Sequence, residues 1–233
     1  MTKLSRRVFL GSAPAAAAAA GIFGTFFSTA AEAAIKWDET YNVIVIGAGG
    51  AGLSAAVSAK EAGAKKVVVL EKMMFAGGNT IRAGGGFNAA IKADYEKAGI
   101  TDSPKLHAEQ TLAAGDGRGD PVLVHQLTEK APESVQWLKD HGVKFQDHIY
   151  QIYGGLYKRA RNPIGPRGGA YIKALLEVCK KEDIPILYST RVVEIIREHQ
   201  LSGRVLGVKV EQKGGKTLYL RATNAVVAAA GGF

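Results

Sequence analysis

The chain has 233 residues, 47% of them hydrophobic, and a formal net charge of +9. That length supports one sizeable buried core. The single cysteine excludes an internal disulfide framework, a Cys-x-x-Cys zinc or iron–sulfur site, and a c-type haem attached within these residues. The basic residues are scattered, the densest run being Lys158-Arg159-Ala160-Arg161 with Arg167 nearby. No continuous basic face or RNA motif appears, so no nucleic-acid partner is expected. An anionic substrate, an acidic electron-transfer partner or solvent alone would each suit such a surface.

Residues 1–33 read as a targeting segment. Ser5-Arg6-Arg7-Val8-Phe9-Leu10 precedes an alanine-rich apolar run from Gly11 to about Phe27. Ala31-Glu32-Ala33 then offers a small-residue cleavage site before Ala34. The paired arginines resemble a twin-arginine export signal. A Sec signal or a membrane anchor are the alternatives. The run is rich in Ala and Gly and interrupted by Pro14, so no stable membrane span is expected. Twin-arginine export carries folded proteins, which suits a periplasmic protein loaded with its cofactor in the cytoplasm. The folded domain is expected over 34–233.

The apolar strand Val43-Ile-Val-Ile46 runs into Gly47-x-Gly49-x-x-Gly52, and a helix follows over about 51–62. A second apolar strand, Val67–Leu70, ends at Glu71 and Lys72. This order is the required context of a dinucleotide site, which a glycine triplet alone would not establish. Gly47 permits a sharp turn, Gly49 lets the backbone approach a pyrophosphate, and Gly52 lets the helix sit close to the sheet. The helix N-terminus presents free N–H groups and a positive dipole end to phosphate. Glu71 lies 24 residues after Gly47. Its carboxylate can accept both ribose hydroxyls and would repel the 2′-phosphate of NADP.

A glycine-rich loop spans Gly77 to Asn88. Helices are expected over about 104–114, from Asp120-Pro121 onward, over about 132–141 and over about 170–181, with Asp120 as N-cap and Pro121 at the first helical position. The stretch 150–169 reads as a loop rich in Gly, Tyr and Arg. Strands follow at 186–189, 192–197, 205–211, 217–220 and 225–230, with turns at Ser202-Gly203 and Gly214-Gly215. They suggest a β-meander. The fold class is therefore α/β: a Rossmann-like domain with an inserted meander, as in FAD-binding domains of the glutathione-reductase type. A nicotinamide dehydrogenase would not usually carry that insert. Cys179 falls on the apolar side of the last helix and reads as a buried, inert thiol. His107, His125, His141, His148 and His199 read as surface or helix residues. The apolar run from Asn224 enters Gly231-Gly232 and reads as a chain cut short.

Several of these pieces together resemble the flavoprotein subunits of soluble fumarate reductases and flavocytochromes c. They are Gly47-Ala-Gly-Gly-Ala-Gly52, Glu71-Lys72, Gly77-Gly-Asn-Thr80, Gly84-Gly-Gly-Phe-Asn88, Gly119-Asp-Pro121, Val135-Gln-Trp-Leu138 and Ala228-Ala-Ala-Gly-Gly-Phe233. The resemblance implies FAD. It places Gly47, Gly49, Gly50, Ala51 and Gly52 against the pyrophosphate, and Glu71 with Lys72 at the adenosine ribose. Asn79, Thr80, Gly84 and Gly85 would line the flavin, and Val192 or Val193 would offer backbone to adenine. Membrane-bound members carry a His-Thr pair whose histidine is attached to the flavin. Asn79-Thr80 stands in that place, so the FAD is expected to be non-covalent. Relatives often carry Arg-x-His before a Pro-x-Gly-Gly run; here Arg161 replaces the histidine.

The resemblance further implies hydride transfer from reduced flavin to an activated alkene of a small carboxylic acid, such as fumarate, methacrylate or urocanate. In the family an arginine acts as general acid, from a capping domain and a C-terminal return that follow the Ala-Gly-Gly-Phe strand. No catalytic residue and no metal ligand is therefore assigned here. Without a haem motif, a separate cytochrome is the expected electron donor. The alternative is a catalytically inactive FAD-binding remnant.

Overall fold

The computed structural model describes residues 35–200 and 202–232. The expected export signal and its cleavage site lie outside them. The chain runs β1 (Glu39–Ile46), α1 (Gly50–Glu61), β2 (Val67–Leu70), a 3-10 turn (Thr80–Arg82), β3 (Phe87–Asn88), α2 (Lys92–Lys97), α3 (Pro104–Ala114) and α4 (Pro121–Asp140). It continues with β4 (Tyr150–Gln151), β5 (Lys158–Arg161), α5 (Gly168–Lys181), β6 (Ile186–Leu187), β7 (Thr190–His199), β8 (Ser202–Gln212) and β9 (Thr217–Ala228).

The main sheet has the order β6-β2-β1-β9-β8-β7. Strands β6, β2, β1 and β9 are parallel, and β8 and β7 add antiparallel to β9. Val43–Ile46 of β1 and Val67–Leu70 of β2 are apolar throughout because both faces are covered. On one face Val43, Val45, Val67 and Val69 pack against Leu53 and Val57 of α1 and Leu175 and Cys179 of α5. On the other, Tyr41, Ile44, Val68 and Leu70 join Val208, Val210 and Leu220 of the meander. Tyr41 and Ile44 share a face although three residues apart, because the register against β9 shifts between Tyr41 and Val43. Asn42 occupies that bulge; its amide accepts the Lys66 N–H at 2.8 Å and donates to Thr223 Oγ1 at 3.1 Å. Cys179 is buried, and burial pushes its thiol up to about 11, so it is an inert core residue as expected.

Four expectations change. The separate helices around Asp120 and Pro132 are one helix, α4, of 20 residues. Pro132 lacks an N–H but does not end it, because Thr128, Ala131, Val135 and Leu138 bury one continuous stripe. The two strands at 217–220 and 225–230 are one strand, β9, whose first half pairs with β8 and whose second half pairs with β1. The loop 150–169 contains β4 and β5, which with β3 form a three-stranded sheet. The short helix α2 was not expected.

Strand β5 of that small sheet is polar in sequence, yet Arg159, Ala160 and Arg161 are buried. Arg159 donates to both oxygens of Asp102, from Nε at 3.0 Å and from Nη2 at 2.8 Å. Arg161 donates to Asp94 and, at 3.0 Å, to the Ala89 carbonyl. A buried arginine held this way reads as a loop residue in sequence because its compensating partner is remote.

Candidate functional site

The site is built where β1, β2 and β9 end together. The Gly47 N–H donates to the Leu70 carbonyl at 2.8 Å, and the Ala229 N–H to the Ile46 carbonyl at 2.9 Å. Gly47 turns the chain at φ +104°, and a Cβ there would stand 2.5 Å from the Ala229 oxygen. A Cβ on Gly52 would stand 1.8 Å from the Gly47 oxygen, so α1 is seated directly on its own turn. Gly49 differs: a Cβ would meet only the Gly77 oxygen, at 3.8 Å. The room it leaves faces outward, as a cradle for a phosphate requires. Gly49, the N-cap of α1, supplies no side-chain cap, the first turn holds no acid, and Ala51 there is exposed. The positive dipole end of α1 suits an anion at that opening.

Glu71 follows β2 and is brought beside this turn. Its Oε2 accepts the Ala48 N–H at 2.8 Å and its Oε1 the Met73 N–H at 2.8 Å. Each oxygen keeps a further lone pair for a ribose hydroxyl. Lys72 is exposed beside it. The first residue of β7, Thr190, donates its N–H to the Glu71 carbonyl at 2.9 Å. The start of β7 thus lies beside Glu71. Val192 pairs with Val210 and packs into the core, whereas Val193 is the extra residue of a bulge and is exposed.

The loop Gly77–Asn88 folds back onto the same turn. The Gly77 N–H donates to the Ala48 carbonyl at 2.9 Å. The Gly50 N–H donates to Thr80 Oγ1 at 3.1 Å. A Cβ on Gly50 would stand 2.9 Å from that hydroxyl, so this glycine makes room for Thr80 within the chain itself. Asn79 is exposed and its side chain makes no cap to the 3-10 turn. Gly84 borders open space. Gly85 sits at φ +86° against the backbone of Arg167. The structure therefore joins the Gly47–Gly52 turn to Glu71 directly, and links Asn79, Thr80, Gly84 and Gly85 to them through the loop.

Sequence reasoning did not single out Gly168 or Tyr171. A Cβ on Gly168 would stand 1.8 Å from the Thr80 oxygen, so α5 begins against the 3-10 turn. Tyr171, one turn further, donates its hydroxyl to the Gly85 carbonyl at 2.7 Å. Burial raises its phenol well above the usual range, so it remains a neutral donor. The adjacent Gly168-Gly169 pair opening a helix was the available signal. Arg161, which stands where relatives often carry histidine, is buried against Asp94 and Ala89. Among the described residues no helix is long and apolar enough to cross a membrane, and no acid–His–Cys cluster could hold a metal.

Comparison with known proteins places these features in context. The profile of the family described as FAD binding domain matches residues 42–233. Fumarate reductase (cytochrome) of Shewanella frigidimarina is 36% identical over 197 residues, which cover 84% of this chain and 34% of that protein. The acrylate reductase flavoprotein subunit of Shewanella woodyi is 31% identical over 237 residues, covering 99% of this chain and 46% of that subunit. The open conformation of a flavocytochrome c3 fumarate reductase superposes with a TM-score of 0.78 at 32% identity, over 84% of this chain and 34% of that structure. The chain thus spans less than half the length of each.

Proposed function

The chain belongs to the FAD binding domain family, and from that membership we propose that it is the FAD-holding part of a periplasmic reductase of small unsaturated carboxylic acids. FAD is its cofactor and FAD-dependent oxidoreduction its class. The observation that carries the reading is the convergence on one turn: Glu71 accepts from Ala48, while Thr80 accepts from Gly50 two residues later. Ribose-side and flavin-side residues are thereby held at a fixed spacing across the phosphate cradle.

When reduced, FAD supplies a hydride. The chain's own residues bind and orient it. The Gly47–Gly52 turn and α1 receive the pyrophosphate. Glu71 and Lys72 hold the ribose end. The backbone of Val193, released from the ladder by its bulge, meets adenine. Asn79, Thr80, Gly84 and Gly85 line the flavin. The cofactor is held without a covalent bond, since Asn79 has no ring nitrogen to offer where attached relatives carry histidine.

The substrate is a small carboxylate with an activated double bond, in keeping with the fumarate and acrylate reductases it resembles. Electrons come from a separate cytochrome. Export follows the Arg6-Arg7 signal. The test is reduction of fumarate, acrylate, methacrylate and urocanate, with a reduced viologen as donor, by the purified chain joined to the remaining part of a similar reductase, because no catalytic residue is assigned within these residues. Turnover of any one supports the reading; flavin that stays reduced in the presence of all four refutes it. That second outcome would favour a module that holds FAD without reducing alkenes.

A further inference from the structure

The Gly85–Gly86 peptide is gripped from two sides. A Cβ on Gly85 would stand 2.8 Å from the Arg167 carbonyl carbon, and one on Gly86 would stand 2.9 Å from Tyr150 Oη. From within, Tyr171 Oη donates to the Gly85 carbonyl at 2.7 Å. The Tyr171 ring is itself fixed, buried between Phe87 at 6.4 Å and Phe145 at 6.0 Å between centroids. No described peptide bond is cis. In a trans peptide the N–H points opposite to the carbonyl of the same plane. With the Gly85 carbonyl held inward by Tyr171, the Gly86 N–H is turned outward. Burial agrees, since Gly85 is buried and Gly86 exposed.

We infer that Tyr171 is a positioning residue, whose hydroxyl sets the Gly85–Gly86 peptide plane so that the Gly86 N–H donates to the flavin ring. The inference rests on the reading that Gly84 and Gly85 line the flavin. A fixed donor at the ring stabilises the oxidised and reduced flavin unequally, because reduction changes the ring's electron density and protonation. The donor is supplied by backbone, so no side chain at positions 84–86 reveals it. Its aim depends on a residue in another element.

The test compares Tyr171→Phe and Tyr157→Phe with the native chain. FAD affinity is read by fluorescence titration, the flavin midpoint potential by equilibration with redox dyes, and the fold by circular dichroism. Tyr171→Phe keeps the aromatic packing and removes only the hydroxyl. It is expected to weaken FAD about fivefold, the worth of one ordinary hydrogen bond. It should also shift the midpoint potential and the visible flavin spectrum. Tyr157→Phe removes a hydroxyl that bonds the Thr101 carbonyl and should leave the potential where it was. An unchanged potential and spectrum in Tyr171→Phe overturns the inference, as does an equal shift in Tyr157→Phe. A Tyr171→Phe chain that no longer folds also overturns it, because the hydroxyl is then structural. If the native chain takes up no FAD, the flavin assignment of Gly84 and Gly85 falls, and the positioning role with it.

Discussion

The Glu71 carboxylate accepts the backbone N–H of Ala48 at 2.8 Å across 23 residues of sequence. The acid that ends the second strand is thereby a structural member of the turn that ends the first. Its other oxygen takes the Met73 N–H. Glu71→Gln replaces one acceptor by a donor and sets it against a buried N–H. Loss of a hydrogen bond to a charged group is worth about 1.5–3 kcal/mol. FAD affinity, measured by fluorescence titration, should fall about 10- to 100-fold. Unchanged affinity would remove Glu71 from the site.

Gly49 and Gly52 should separate binding from folding. In Gly52→Ala the methyl meets the Gly47 oxygen, and backbone must move. The expected loss is about 1–3 kcal/mol or more in denaturant unfolding, with FAD binding lost as well. In Gly49→Ala the methyl meets nothing closer than 3.8 Å within the chain. Stability should therefore be near native while FAD binding falls sharply. Equal stability losses in both variants would contradict the outward-facing cradle.

The buried Arg159–Asp102 pair holds the small sheet to the segment before α3. Asp102→Asn leaves a buried guanidinium uncompensated and should cost about 3–5 kcal/mol in urea unfolding. A loss below about 1 kcal/mol would mean that water reaches the pair.

His107 lies beside this pair. Burial first, then the Arg159 charge, lowers it below its ordinary 6.5, with Asp102 opposing. The folded chain thus binds fewer protons than the unfolded chain just below that value. Its contribution to stability is full above 6.5 and declines as pH falls through the region beneath. His107→Asn should flatten that part of the urea-midpoint profile between about pH 5 and about pH 8. An unchanged slope would show that other groups set it.

Export is checked by Arg6→Lys with Arg7→Lys. A twin-arginine signal should fail, leaving the chain in the cytoplasm on fractionation; continued export would point to the Sec route.

The dinucleotide core was legible because each of its requirements is local. Gly47, Gly49 and Gly52 are set by one turn, and Glu71 by the end of one apolar strand. The meander was legible from Ser202-Gly203 and Gly214-Gly215. The small sheet was not, since Arg159 and Arg161 are polar until Asp102 and Asp94 arrive from more than fifty residues away. Pro132 misled for a related reason: a buried stripe outweighed a local helix breaker. Tyr171 was invisible because its partner is a carbonyl, which sequence does not distinguish.

Non-covalent FAD is tested most directly by the visible absorbance of the purified chain before and after acid precipitation. The flavin spectrum should pass entirely into the supernatant when the chain is denatured. Flavin that stays with the precipitate would mean a covalent bond. A colourless chain that leaves the fluorescence of added FAD unchanged would mean that it holds no FAD.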